Sequence, residues 1–424
     1  MSESPPLTRL TLDNGLRVVV AENRRVPAVA VNLWYFVGSR NETAGRTGLA
    51  HLFEHLMFQG SKNVPNGEHF TLITSLGGTL NATTSFDRTN YFETVPAHAL
   101  ELALWLEADR MATLPHGLTQ ENLDNQRDVV ANERRERMDN VPYGTALENL
   151  VGLLFDEGHP YHHMPIGSMA DLRAASLSDI HDFFGKHYTP ANAVLSVVGD
   201  VDAATAADLC ARYFGDIPGA PPPARPAHVA AMIDAPRHLD LVEPVPAPAI
   251  YLGFVLPEDG TAELDAATVA VTALGRGLGA RLHRRLVRTE RQAQSASFNV
   301  IPLVGGASLA VFAALAVPGA SLADIEAGFR AELELFAKSA EAAHDVARAK
   351  ALLERDRLAE LSTLEGVADE LSGNTCLFDA PERAYTTVSR LGAVTVQDAR
   401  NAVAKYLLTP GYAAVRYQTE GASR

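Results

Sequence analysis

Cysteine is nearly missing from this chain of 424 residues: there are two, Cys210 and Cys376, in different halves. Two thiols so far apart make no disulfide framework, and the expectation is reduced thiols in a cytoplasmic protein. Basic residues are outnumbered, 36 Lys and Arg against 51 Asp and Glu, for a formal net charge of −15. That argues against nucleic acid as a partner. No run of about 18 apolar residues exists, so no membrane span is expected. The start, Met1-Ser2-Glu3-Ser4-Pro5-Pro6, lacks a basic region followed by an apolar core. Cytoplasmic residence is therefore expected, with a periplasmic location as the alternative if a secretory signal has been removed.

What is present suits a large globular protein. The apolar fraction of 47% and charged fraction of 21% are ordinary. The length exceeds what one core organises, so two or more domains are expected. Gly215 to Pro226 contains five prolines and reads as a semi-rigid connector. The expected division is an N-terminal domain over 1–215, a linker over 216–236 and a C-terminal domain over 237–424. Arg17–Glu22, Val29–Val37, Tyr91–Val95 and Ala193–Val198 read as strands of the first half. Helices are expected over about 97–140, 143–155 and 178–187. In the second half Ala249–Leu256 and Ala307–Ala316 read as strands, Leu264–Leu278 as a helix, and 321–340 and 341–370 as two long helices. Strand, helix, strand, helices thus recur once, a faint internal repeat.

The densest chemistry lies in His51-Leu52-Phe53-Glu54-His55. On a helix, residues i, i+3 and i+4 share one face. Two imidazoles four apart can ligate one Zn²⁺, and the carboxylate between them stands beside the ion's open position. A metal-activated water with a glutamate to take its proton is the equipment of peptide hydrolysis. By chance His-x-x-(Asp/Glu)-His is expected only about 0.05 times in a chain of this composition. Leu49, Leu52, Phe53, Leu56 and Met57 give the helix an apolar side to pack, and Gly48 and Gly60 bound it at about three turns. A catalytic zinc wants a third protein ligand. Glu121, Asp128, Glu133 and Glu136 all lie on one later polar helix, and spacing does not choose among them.

Around the motif stand Asp13-Asn14-Gly15-Leu16-Arg17-Val18, Gly38-Ser39-Arg40-Asn41-Glu42, Gly48-Leu49-Ala50 and Leu56-Met57-Phe58-Gln59-Gly60. Gly77-Gly78-Thr79-Leu80-Asn81-Ala82-Thr83-Thr84-Ser85, Tyr91, Val95-Pro96, His159-Pro160-Tyr161 and Ile166-Gly167-Ser168 follow. With these the chain resembles the inverzincin M16 metallopeptidases, the family of pitrilysin, insulysin and the mitochondrial processing peptidase, and most closely the short bacterial M16B type. The resemblance implies an α+β fold: two homologous α/β-sandwich-type halves joined by the Pro-rich linker. It implies a zinc endopeptidase that hydrolyses peptides or unfolded segments in a closed chamber. His51, His55 and Glu133, the last in Val130-Ala131-Asn132-Glu133, become the ligands, and Glu54 the general base. Asn81 and Ala82 become an edge strand that pairs with extended substrate. Where the family often carries a second glutamate, seven residues before the ligand, this chain has Gln126, which cannot titrate.

The second half lacks a zinc motif. The family's arginine and tyrosine, which lie in a Leu-Arg-x-x-x-Gly-x-x-Tyr segment, meet Leu286-Val287-Arg288-Thr289-Glu290-Arg291-Gln292-Ala293-Gln294-Ser295 here. Aligned on Arg288 the tyrosine position is Ser295; aligned on Leu286 it is Gln294. Neither register has the pair. The resemblance then implies the zinc-bearing subunit of a heterodimer, whose homologous partner supplies arginine and tyrosine. The alternative is a non-catalytic assembly homologue. His159, His162 and His163 read as loop histidines beside prolines, not a second metal site. Arg134-Arg135 and Arg284-Arg285 read as solvated charge runs. Gly275-Arg276-Gly277-Leu278-Gly279 lacks the Lys-Ser/Thr of a phosphate loop.

Overall fold

The computed structural model describes residues 6–225, 228–231, 233–339 and 342–420. Pro226, Ala227 and Met232 of the expected connector, and Ala340 and Glu341 at the expected junction of two long helices, lie outside the described residues. The chain forms two compact units, each gathered from three stretches. The first comprises Met1–Asn132, Met164–Pro226 and Leu358–Thr386; the second comprises Glu133–His163, Ala227–Arg357 and Thr387–Arg424.

In the first unit, strands β1 (Leu7–Thr11), β2 (Arg17–Glu22), β3 (Ala28–Tyr35), β4 (Thr79–Thr84), β5 (Thr89–Pro96) and β6 (Ala193–Gly199) form one sheet in the order β1-β2-β6-β3-β5-β4. Only β2 and β6 run parallel. Every residue of β6 and seven of eight in β3 are buried. Their near-continuous apolar runs are those of strands covered on both faces. The helices nearest the motif are α1 (Leu49–Leu56), α2 (Glu68–Ser75), α3 (Leu100–Gly117) and α4 (Gln120–Arg134). The helix Leu364–Phe378 belongs to this unit too and packs on β3, β5 and β6. Asp369 fixes it: one carboxylate oxygen accepts from Trp34 Nε1 (2.8 Å), Asn90 Nδ2 (3.0 Å) and Asn32 Nδ2 (3.2 Å). Ser372 Oγ meets Ser196 Oγ at 2.8 Å.

In the second unit, β7 (Arg237–Glu243), β8 (Ala249–Leu256), β9 (Ala293–Ile301), β10 (Ser308–Ala316) and β11 (Ala413–Thr419) form a sheet in the order β7-β11-β8-β10-β9. Again one pair, β7 and β11, is parallel. The pairing β7-β11-β8-β10-β9 repeats β2-β6-β3-β5-β4 strand for strand. The fold is the expected α+β one with two related halves, the first having β1 in addition. Helix α5 (Ala146–Leu154), though early in the chain, packs on β7, β8 and β11 of this unit. The rings of Phe254, Phe298, Phe312 and Phe329 make its core, with Phe312 and Phe329 4.4 Å apart. Burying each contributes ~1.5–3 kcal/mol.

Three helical expectations are corrected. The helix α1 has eight residues and is shorter than three turns. The stretch 97–140 breaks at Leu118-Thr119 and ends in a π-turn at Arg135–Asp139. The stretch 341–370 is two helices, Ala342–Glu360 and Leu364–Phe378, because Thr363 caps the second through Gly366 N–H (3.0 Å). The strands β1, β7, β9 and β11 were outside sequence reach: β1 and β7 have no fully buried residue and β9 only two of nine, so no apolar run marks them. Cys210 and Cys376 are buried thiols, pushed up by burial to about 12 and about 11. Among the described residues no helix is long and apolar enough to cross a membrane.

Candidate metal centre

The start of α1 is held from three sides. Gly48 caps it at φ +88°, a conformation glycine adopts freely. A Cβ on Gly48 would lie 2.8 Å from Ile166 O, and one on Gly167 2.2 Å from Gly48 N. The loop Ile166-Gly167-Ser168 therefore touches the helix start backbone to backbone, which is why both glycines are needed. The Glu42 carboxylate accepts Gly48 N–H (2.8 Å) and Ala50 N–H (2.7 Å). It satisfies amides that a helix start leaves open and places a negative charge at the positive end of the dipole. Asp171 accepts from Thr47 N–H (3.0 Å) and Thr47 Oγ1 (2.7 Å).

The middle of the helix is fixed by its apolar side. Leu52, Phe53 and Leu56 are fully buried. Phe53 stacks on Phe183 (5.3 Å) and Tyr188 (4.9 Å). Its carbonyl accepts from the Tyr91 hydroxyl at 3.2 Å, which ties α1 to β5. The polar face that remains carries His51, Glu54 and His55. The two imidazole rings stand 5.0 Å apart and nearly perpendicular, as i, i+4 neighbours should.

Glu133 sits in the last turn of α4. The division between the units falls inside this helix, after Asn132, so the helix itself carries Glu133 onward from the first unit. Leu123, Gln126 and Val130 are its buried side. Ligand atoms of His51, His55 and Glu133 all lie within 4.8 Å of one another. Two imidazole nitrogens and a carboxylate oxygen so gathered are the donor set of a catalytic zinc with one position open. Of the four acids that spacing left open, Glu133 is the one in this cluster. Its Oε1 also accepts from exposed Arg137 at 2.6 Å. Gln126, two turns before Glu133, is buried.

Asn81 and Ala82 lie on β4, the edge of the first sheet, opposite Phe92 and Tyr91 of β5. The Asn81 side chain is bonded to Ala82 N–H (2.9 Å). The motif's surroundings hold a cation that spacing did not single out. Arg88 donates to Thr83 O (2.8 Å) and Asn90 Oδ1 (3.0 Å) and lies over the Trp34 ring (5.1 Å). Burial pushes its guanidinium down, and the charges of Asp369 and Glu54 push it back up.

Elsewhere the charge runs are solvated in part: Arg135 and Arg284 are exposed, while Arg134 and Arg285 are half-buried. Arg134 is paired with Glu148 (2.8 Å) and Asp139 (3.3 Å), Arg284 with Asp345 (3.1 Å), and Arg285 with Glu290 (2.8 Å). Two of these partners, Glu148 and Asp345, lie well away along the chain, where no local pattern announces them. The loop histidines serve the backbone: His159 Nε2 meets Val229 O (3.0 Å) and His162 Nδ1 meets Phe155 O (2.7 Å). In the second unit Arg288 is exposed, and Gln294, on the edge strand β9, donates to Ala316 O at 2.8 Å.

Residues 17–157 match the family described as Insulinase (Peptidase family M16), and residues 174–353 match the one described as Peptidase M16 inactive domain. The zinc protease PqqE of Helicobacter pylori is 40% identical over 211 residues, a match spanning 50% of this chain and 47% of that protein. An uncharacterized zinc protease of Mycobacterium leprae is 31% identical over 326 residues, 75% of this chain and 71% of that one. The crystal structure of a protease from Helicobacter pylori superimposes with a TM-score of 0.90 at 28% identity, covering 98% of this chain and 99% of its own.

Proposed function

Because this chain belongs to the M16 peptidase family, we propose that it is a zinc-dependent endopeptidase and the zinc-bearing subunit of a two-chain enzyme. The observation that carries the reading is the convergence of His51, His55 and Glu133 within 4.8 Å beside Glu54. In this reading the three residues hold zinc, which when bound lowers the pKa of a water and polarises the scissile carbonyl. A Glu54 carboxylate oxygen takes the water's proton as the water oxygen bonds to the carbonyl carbon. Glu54 then gives that proton to the departing amine nitrogen as the C–N bond breaks. Substrate lies extended along β4, its backbone pairing with the free edge at Asn81 and Ala82, which selects conformation more than sequence.

The developing oxyanion needs a second donor. The segment from Leu286 to Ser295 has Gln294 or Ser295 where the family has tyrosine. Loss of one such donor costs on the order of 10²–10³ in rate. A homologous M16B subunit that presents its own arginine and tyrosine, and with this chain encloses a chamber for unfolded peptide, completes the site. The test is turnover of a quenched, unstructured peptide by the pure chain, with and without candidate homologues that carry the pair. Activity that appears only in the mixture, and is lost with Glu54→Gln in this chain, is the expected result. Equal turnover per zinc by the chain alone overturns the two-chain reading. Zinc binding with no hydrolysis in any mixture assigns the chain to the non-catalytic assembly role.

A further inference from the structure

A second convergence of ligand-type side chains lies wholly within the first unit. His69 on α2, Glu93 on β5 and Glu107 on α3 are all buried, and their ligand atoms lie within 4.8 Å of one another. None of them belongs to the motif. His69 Nε2 and both Glu93 carboxylate oxygens are shut off from water and have no hydrogen-bond partner among the described residues. Glu107 is held by Arg110, whose Nε donates to Oε2 at 3.0 Å and whose Nη2 pairs with Oε1. Arg110 lies over the Tyr91 ring (4.3 Å) and the Phe58 ring (5.1 Å).

A neutral histidine nitrogen and a carboxylate buried together without partners are costly, because each forfeits its hydration. Something must meet them. Two carboxylates and one guanidinium leave the cluster a single negative charge in excess. A proton brings that charge to zero and a divalent ion to a single positive charge; either gives the unpartnered atoms a partner, and the geometry distinguishes them. His69 Nε2 stands 3.5 Å from Glu93 Oε2. A proton shared there would make a poor hydrogen bond, since good ones of this kind lie near ~2.8–3.0 Å. Two ligands on one tetrahedral ion, each at ~2.0–2.2 Å, stand ~3.3–3.6 Å apart. The observed separation is that of co-ligands.

We propose that His69, Glu93 and Glu107 form a second, structural site for a divalent cation of the zinc class. His69 Nε2, a Glu93 oxygen and a Glu107 oxygen are its ligands. Arg110 orients the Glu107 carboxylate from outside, as carboxylate ligands commonly require. The site is sealed, so the ion enters as the unit folds and afterwards resists chelators. It ties α2, β5 and α3 together behind Tyr91, which in turn holds the Phe53 carbonyl of α1. Burial pushes His69 down to about 3 and Glu93 up to about 8, since each is held away from water.

The full-length chain with His51→Ala and His55→Ala, produced in zinc-supplemented medium and passed over a chelating resin, tests this without interference from the first site. About one equivalent of zinc by mass spectrometry is expected, and about none when Glu93→Gln or His69→Gln is added. Cobalt supplied during refolding should give the visible d–d absorption of a tetrahedral ion, lost in the same variants. No zinc and no cobalt band in the His51→Ala/His55→Ala chain overturns the proposal and assigns the compensating charge to a proton on Glu93. Retention of the equivalent after Glu93→Gln also overturns it. If Glu93→Gln prevents folding by circular dichroism, His69→Gln carries the same comparison. If both do, the cobalt spectrum of the His51→Ala/His55→Ala chain decides.

Discussion

Removing the Glu42 carboxylate should loosen α1 at its start. Its two oxygens accept Gly48 N–H at 2.8 Å and Ala50 N–H at 2.7 Å. Ala50 is fully buried, so water cannot replace the acceptor there. A hydrogen bond to a charged group contributes about 1.5–3 kcal/mol, and a negative charge at a helix start adds about 0.3–1 kcal/mol. Partial rehydration at Gly48 offsets some of this. Glu42→Ala should therefore cost about 3–4 kcal/mol. At ~2–4 °C per kcal/mol for a body of this size, the melting midpoint falls by roughly 6–16 °C. Glu42→Gln keeps one acceptor but turns its NH₂ toward the other amide, and should cost about half as much. Thermal melts followed by circular dichroism measure both. Zinc affinity, titrated with a competing chelator, should fall as well, by about 10–100-fold, because a ligand helix with a loose start holds its imidazoles less well. Melting within 2 °C of the parent for both variants, with unchanged zinc affinity, would refute this account of the motif's support.

His55→Ala should strip zinc from the first site while His51 and Glu133 remain, which the chelatable metal content measures; an unchanged chelatable equivalent would place the ion elsewhere. Glu54→Gln should keep that zinc and lower peptide hydrolysis by at least about 10², read as kcat on a quenched peptide. His187 is buried beside Phe183 (4.6 Å), and burial lowers it from 6.5 to about 4. Between those values the unfolded chain binds a proton that the folded chain does not, so its contribution to stability is lost as pH falls through the window, by up to ~1.4 kcal/mol per pH unit. Urea titrations at several pH values should show a shallower acid slope for His187→Gln, and an identical slope would contradict its burial as neutral imidazole. Gly275→Ala should destabilise the second unit by ~1–3 kcal/mol, because its Cβ would stand 2.5 Å from Phe298 N in β9; an unshifted urea midpoint would speak against that close approach.

The sequence by itself determined what depends on neighbours a few positions away. Apolar runs marked β2, β3, β6, β8 and β10, because strands covered on both faces are mostly apolar, and the buried polar exceptions Asn32 and Ser196 are hydrogen-bonded. The spacing His51, Glu54, His55 determined a shared helical face, since the period of a helix is fixed by its backbone. Tertiary structure alone decided what depends on distant partners. Among Glu121, Asp128, Glu133 and Glu136, which spacing left equal, the resemblance implied Glu133, and the structure brought that one to the histidines by a helix rotation set by the burial of Leu123, Gln126 and Val130. It set Glu42 under the amides of α1 and Gly167 against Gly48, contacts whose need for a bare backbone no local pattern reveals. It gave the helix Leu364–Phe378 to the first sheet and α5 to the second, and it gathered His69, Glu93 and Glu107 from three elements into one dry cluster. Periodicity is written along a chain, whereas burial and the company of charges are properties of the packed whole.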